Sequence, residues 1–185
     1  MAICIYIEDE LKKLSKYEYG CMFDDGEFLT DYDEMFKKEG NVVIQKIDSF
    51  LKHKAGMCHD ASLYVHSLLK KANVMHKIVY VASNIPPMYT THSFVVARDD
   101  DEEKWICIDV FASKDCIWKT EGDCIDMRDV IDQRLAAWLT EDNNGSADVE
   151  TYIADGLPDG GCIFQTWHKK LMKMSEPYQF ERRIR

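Results

Sequence analysis

Two short apolar runs separated by a block of charge constrain this chain more than any other feature. Thr91–Ala97 (THSFVVA) and Trp105–Asp109 (WICID) read as strands, and Asp99-Asp100-Asp101-Glu102-Glu103-Lys104 between them reads as a solvated turn. An antiparallel hairpin is the simplest arrangement. If His92 faces Asp109, paired residue numbers sum to 201, so Phe94 faces Cys107, Val96 faces Trp105 and Arg98 faces Glu103. The loop is then four residues, Asp99 to Glu102, an ordinary hairpin length. Alternation puts His92, Phe94, Val96, Trp105, Cys107 and Asp109 on one face, with the His92 and Asp109 β-carbons about 5 Å apart.

Upstream, Cys58 opens the segment CHDASLYVHSLLKKA, which places Ala61, Tyr64, Val65, Leu68, Leu69 and Ala72 on one wide apolar face of a helix over about 58–72, with Asn73 as its stop. His76–Ala82 reads as a buried strand and Asn84–Pro87 as a rigid loop. Val42–His53 has helical spacing through Val43, Ile44, Ile47, Phe50 and Leu51. Residues 2–7 read as a short strand followed by a polar helical stretch to about Tyr19, and Cys21–Glu39 as loop plus a short helix. Asp126–Leu139 and Ile163–Met174 read as helices, with loops at Glu141–Gly145 and Gly156–Gly161. The expected class is α+β, a small antiparallel sheet packed on a central helix, in a single domain over 1–185. Its core spans about 42–118, flanked by an acidic segment 1–40 and a helical part 125–185.

Cys58, His92 and Asp109 are the residues with chemistry to offer. A thiol becomes a nucleophile when its thiolate is stabilised, by a helix N-terminus and by an imidazole that takes its proton. A carboxylate then fixes the imidazole's orientation and tautomer. Taken singly, Cys58 is also a small buried hydrophobe, His92 a strand histidine and Asp109 a strand-end cap. Asp115, in a loop after Lys114, is a rival orienting carboxylate of lower rank. His59 and His66 lie two helical turns apart, roughly 10 Å of rise, too far to share one tetrahedral metal ion. No metal or organic cofactor is expected, and no phosphate-binding glycine motif occurs.

Over 56–111 these residues resemble the transglutaminase-like branch of the papain-like cysteine enzymes. The resemblance rests on Gly56-x-Cys58 and its apolar helix, the strand Ile78-Val79-Tyr80-Val81, His92-x-Phe94-Val95-Val96, and Trp105-x-x-x-Asp109. It implies Cys58 as nucleophile, His92 as general base and acid, and Asp109 as orienting carboxylate. It also implies a protein or peptide substrate and an amide hydrolase, with acyl transfer, deamidation or an inactive interaction module as alternatives. Val110 departs from the Pro or Thr common after the Asp, and the pattern does not account for His59. The Cys58 amide is one oxyanion donor; Gln45 and Trp105 are candidates for a second, or for the substrate groove.

Composition narrows the class further. The 185 residues are 46% hydrophobic, enough for a substantial core, and 33 acids against 23 basic residues give −10, which disfavours nucleic acid. Acids concentrate in 1–40, while the last eighteen residues are basic, a solvated tail or a partner site. Seven cysteines without a CxxC pair suit reduced thiols. No signal peptide or membrane-length apolar run is read, so a cytoplasmic setting is expected.

Overall fold

The computed structural model describes residues 3–83, 90–99, 101–142 and 149–180. Its first half contains α1 (Ile3–Leu14), β1 (Glu18–Tyr19), β2 (Cys21–Phe23), β3 (Phe28–Leu29), α2 (Tyr32–Lys37), β4 (Val42–Ile44), α3 (Ile47–His53), β5 (Ala55–Gly56) and α4 (Cys58–Lys71). The second continues with β6 (His76–Ser83), β7 (Thr90–Asp99), β8 (Lys104–Ile108), β9 (Ile117–Trp118), α5 (Met127–Asp142), β10 (Val149–Ala154), β11 (Cys162–Ile163), α6 (Phe164–Met174) and β12 (Ser175–Tyr178). The protein is α+β with antiparallel main sheets. Six strands form one sheet in the order β12-β10-β6-β7-β8-β9, and four form a second, β11-β4-β2-β3. A parallel pair, β1 with β5, sets Tyr19 beside Gly56.

The six-stranded sheet is covered on both faces. Ile78, Tyr80, Val95, Ala97 and Ile108 share a core with Ala61, Val65 and Leu69 of α4 and Trp167 and Leu171 of α6. On the other face Val79, Val81, Phe94, Val96 and Cys107 pack against Val130, Ile131, Leu135 and Trp138 of α5. Two-sided burial accounts for apolar runs that barely alternate, such as Phe94–Ala97. At the far end of α4, Asn73 adopts φ 56 and Val74 N–H donates to Leu69 O, so the expected stop holds.

Several expectations are corrected. The β7–β8 pairs sum to 203, from Val95↔Ile108 to Asp99↔Lys104. Asp99 therefore stays in the strand, buried, and its Oδ1 accepts the Asp101 N–H at 3.2 Å. An even shift preserves faces, so His92 and Asp109 still share one, but Asp109 lies diagonal to His92, past the end of β8. Residues 3–7 begin a helix, because Ile7, Leu11 and Leu14 form a buried stripe that outweighs the strand propensity of the isoleucines. Val42–Ile44 is a strand, held by pairing with Phe23 and Met22, and only Ile47–His53 is helical. Cys21–Glu39 includes strands β2 and β3 besides the short α2. The part expected to be helical supplies β10, which pairs with β6, and the edge strand β12. The Asn84–Pro87 loop, Asp100, residues 143–145 of the Glu141–Gly145 loop and the tail from 181 lie outside the described residues; α5 continues through Asp142.

Candidate active site

The sulfur of Cys58 is presented by a tightly tied helix start. Cys58 is the first residue of α4, where the amide has no intrahelical acceptor and the helix dipole favours negative charge. Asp60, two residues on and buried, accepts the Met57 N–H on Oδ2 at 2.8 Å and the Gln45 N–H on Oδ1 at 2.7 Å. One carboxylate thus joins the helix start to the chain following β4. Gly56 completes the fit: a β-carbon there would lie 2.7 Å from the Phe50 ring and 2.9 Å from Asp60 Oδ2. Cys58 itself is 4% exposed.

His92 approaches from the opposite face of the sheet. Since β7–β8 pairing stops at Val95↔Ile108, the strand around His92 has an open edge on the β8 side. Its Nε2 donates to Asp109 Oδ2 at 2.6 Å, so the carboxylate holds the ring by one nitrogen and Nδ1 is the other. Trp138 of α5 stacks on the imidazole with centroids 6.1 Å apart and planes within 9°. Arg134, also on α5, donates from Nε to the same Asp109 oxygen at 2.8 Å, and its guanidinium lies over the Trp118 ring. Asp109 and Arg134 are 1% and 2% exposed, so the carboxylate is held in a dry site between two cations.

These charges shift one another. Burial raises the Cys58 thiol pKa, but the charges of His59 and His92 and hydrogen bonds to both outweigh it, leaving the thiol well below its ordinary value. Burial lowers His92, while Asp109 and the Cys58 thiolate raise it to about 10. Asp109 is raised by burial and lowered more strongly by His92 and Arg134. A thiolate–imidazolium pair is the form this arrangement favours. Two other buried thiols do not share it: Cys107 is raised well above its ordinary value and Cys116 to about 11, both chiefly by burial.

The remaining sequence candidates sit elsewhere. Gln45 is buried, its Nε2 donating to Ala55 O at 3.0 Å and its Oε1 accepting from His53 Nδ1 at 2.9 Å. With Asp60 also a side-chain partner, its amide is a structural tie and not an oxyanion donor. Trp105 packs near the far end of β8, opposite Arg98, four strand residues or about 13 Å from Asp109. It too is corrected as an oxyanion or groove candidate. Asp115 and His53 are exposed, and His168 is half-buried against Tyr80. Arg134 went unrecognised in the sequence, although the signal was present: it occupies the apolar stripe that runs through Met127, Val130, Ile131, Leu135 and Trp138. A cation at a core position needs a buried anion. Among the described residues no group of three His, Cys, Asp or Glu side chains is arranged to hold a metal ion, and no helix is long and apolar enough to cross a membrane.

Compared with known proteins, the chain matches no family model and no curated protein.

Proposed function

We propose that this chain is a cysteine-dependent acyl-transfer enzyme of the transglutaminase-like, papain-like type, hydrolysing an amide or peptide-like bond in a protein or peptide. The observation that carries the reading is the coupled set Cys58–His92–Asp109: a thiol at a helix N-terminus, acidified by an imidazole that a buried carboxylate orients. The order of thiol helix, strand, His strand and Asp strand, antiparallel throughout, supports the same core.

The Cys58 thiolate attacks the substrate carbonyl carbon, and the oxyanion that forms is within the reach of the Cys58 amide. His92 then gives its Nδ1 proton to the leaving amine as the carbon–nitrogen bond breaks, leaving a thioester. Water attacks the thioester while His92 takes its proton, and the acid departs as the thiolate is restored. The burial of the sulfur favours one second reading, transfer of the acyl group to an amine in place of water. Peptide products formed with and without an added primary amine separate the two.

Iodoacetamide at neutral pH tests the central assignment. Cys58 is expected to be modified first among the cysteines, and His92→Ala to slow that modification about tenfold or more. Uniform labelling of all cysteines, indifferent to His92, would leave an interaction module as the better description.

A further inference from the structure

The short helix α2 buries none of its residues, yet it carries two large rings. Tyr32 and Phe36 sit four positions apart, so they share one face, and they are 58% and 62% exposed. The core gains nothing from either ring. Contiguous aromatic surface left in water marks a face that meets another molecule.

The two rings extend a longer row. Tyr32 lies against Phe36 with centroids 5.5 Å apart, and stacks on Tyr19 at 5.9 Å with planes within 19°. Tyr19 in turn meets the Phe111 ring edge-on at 5.3 Å. The inner end of the row is tied to the candidate active site through the backbone. Tyr19 pairs with Gly56, two residues before Cys58, and the Gly20 N–H donates to Gly56 O at 3.1 Å. Phe111 follows Asp109 by two residues, beside the Ala112 N–H that donates to Asp109 O at 3.2 Å. Phe111 and Tyr19 are half-buried, and exposure rises outward to α2.

Charge decides what such a row would hold. Residues 24–39 hold seven acids against two lysines, a balance of −5. One of those lysines, Lys38, is paired with both Asp25 and Glu27. α2 itself sets exposed Asp33 and Glu34 against Lys37. A ligand that lays an aromatic side chain on this face and brings positive charge to its rim is matched on both counts. A basic side chain over one of the exposed rings gains a cation–π contact as well. Anionic ligands meet the same charges with the wrong sign.

We propose that the Phe111–Tyr19–Tyr32–Phe36 row is a substrate subsite beside Cys58, and that it takes a polypeptide segment in which an aromatic residue adjoins lysine or arginine. The proposal rests on Cys58 being the nucleophile, and it names the substrate class that the triad alone leaves open. The aromatic side chain lies against Tyr32 and Phe36, and the basic side chains lie along Asp33 and Glu34. The segment then passes over Tyr19 toward the Cys58 sulfur. No bond changes in this step; the row supplies position and selectivity for the acyl transfer described above.

The test uses the full chain carrying Cys58→Ser, so that binding is read without turnover, and three fluorescein-labelled peptides of equal length. The first holds phenylalanine followed by two lysines between glycines; the second has alanine for phenylalanine, and the third has glutamates for the lysines. Fluorescence anisotropy is expected to show the first bound about tenfold more tightly than either control. Added salt is expected to narrow its lead over the glutamate peptide. Phe36→Ser and Tyr32→Ser are expected to abolish the preference for phenylalanine, and Phe36→Trp, which keeps a ring, to retain it. Asp33→Asn with Glu34→Gln is expected to abolish the preference for lysine alone. Urea midpoints measured alongside show that each variant is folded. In the wild type, saturating first peptide is expected to slow iodoacetamide at Cys58 about fivefold.

Equal binding of the three peptides overturns the proposal, as does a phenylalanine preference that survives both serine substitutions. A wild-type dimer that Phe36→Ser dissolves also overturns it, since the rings then meet a second copy of the chain. Binding that leaves Cys58 unprotected overturns the continuity of the row with the site. Failure of the acyl-transfer reading is distinct: a Cys58 no more reactive than the other thiols removes the nucleophile. The peptide preferences, which need no turnover, still decide whether the row recognises an aromatic and basic segment.

Discussion

Arg134 and His92 converge on one carboxylate oxygen, and each makes a separate claim on the chemistry. Arg134→Met removes a buried cation and leaves Asp109 desolvated, with His92 as its remaining charged partner among the described residues. Breaking a buried pair in this way costs about 3–5 kcal/mol, so the urea midpoint is expected to fall well below that of the wild type; an unchanged midpoint would mean that Asp109 does not depend on it. The pH profile of kcat/KM follows from Cys58 and His92, which titrate as a pair. Its acid limb lies well below the ordinary thiol value, because the thiolate persists there, and its alkaline limb lies near pH 10, where His92 loses the proton it must donate. An acid limb at an ordinary thiol's pKa, about 8.5, would show that the imidazole does not act on the sulfur. The placement of the three proposed site residues was readable from residue type and spacing, since Cys58 opens an unmistakable helix and parity alone fixes the shared face of His92 and Asp109. Arg134 and Trp138 were not, because their roles depend on which helix covers which face, and strand periodicity carries no such information.

The elements with long, one-sided or fully apolar patterns, α4, β6, β7, β8, α5 and α6, follow closely from the sequence. Those that exist through pairing do not. β4 is three residues long and takes its form from β2, while β12 contains Pro177, which a lone segment would reject as a strand and a sheet edge tolerates. The hairpin register was misjudged by two residues because Asp99 looks like a turn residue, whereas its carboxylate caps the turn from inside the strand. Close backbone approach is equally invisible to periodicity. A β-carbon on Gly160 would stand 1.8 Å from Gln45 O and 2.6 Å from its carbonyl carbon, next to the Gly161 N–H···O Ile44 bond that holds this loop on β4. No rotamer relieves a backbone clash, so Gly160→Ala is expected to destabilise the protein by about 2 kcal/mol or more. Gly122→Ala, at φ +71 with nothing within 4 Å, is expected to cost about 1 kcal/mol, the left-handed backbone term alone. Thermal melts of the two variants check the difference; equal losses would mean that the loop yields freely.

At the scale of the whole molecule, acid stability has an identifiable origin at the far end of α4. His66 is 8% exposed and its Nδ1 meets His76 Nε2 at 2.8 Å, while His76 Nδ1 donates to Val74 O. Burial, then His76 and Lys70, push His66 down to about 4. The unfolded chain, with an ordinary value near 6.5, therefore binds more protons between these pH values. The contribution is fully present above about 6.5 and is lost as pH falls toward 4, up to about 3 kcal/mol. Asp60, raised by burial to about 6, works in the opposite sense and flattens the total. His66→Asn is expected to lose less stability than the wild type between pH 6.5 and 4 in denaturant titrations; parallel curves would assign acid unfolding to other groups. The covering of the sheet by α5 has a last consequence, for biosynthesis. Arg134 and Trp138 follow Cys58, His92 and Asp109 in the chain, and β10, which covers the other edge of β6, comes later still, so Asp109 gains its second cation and His92 its ring cover only once α5 has docked.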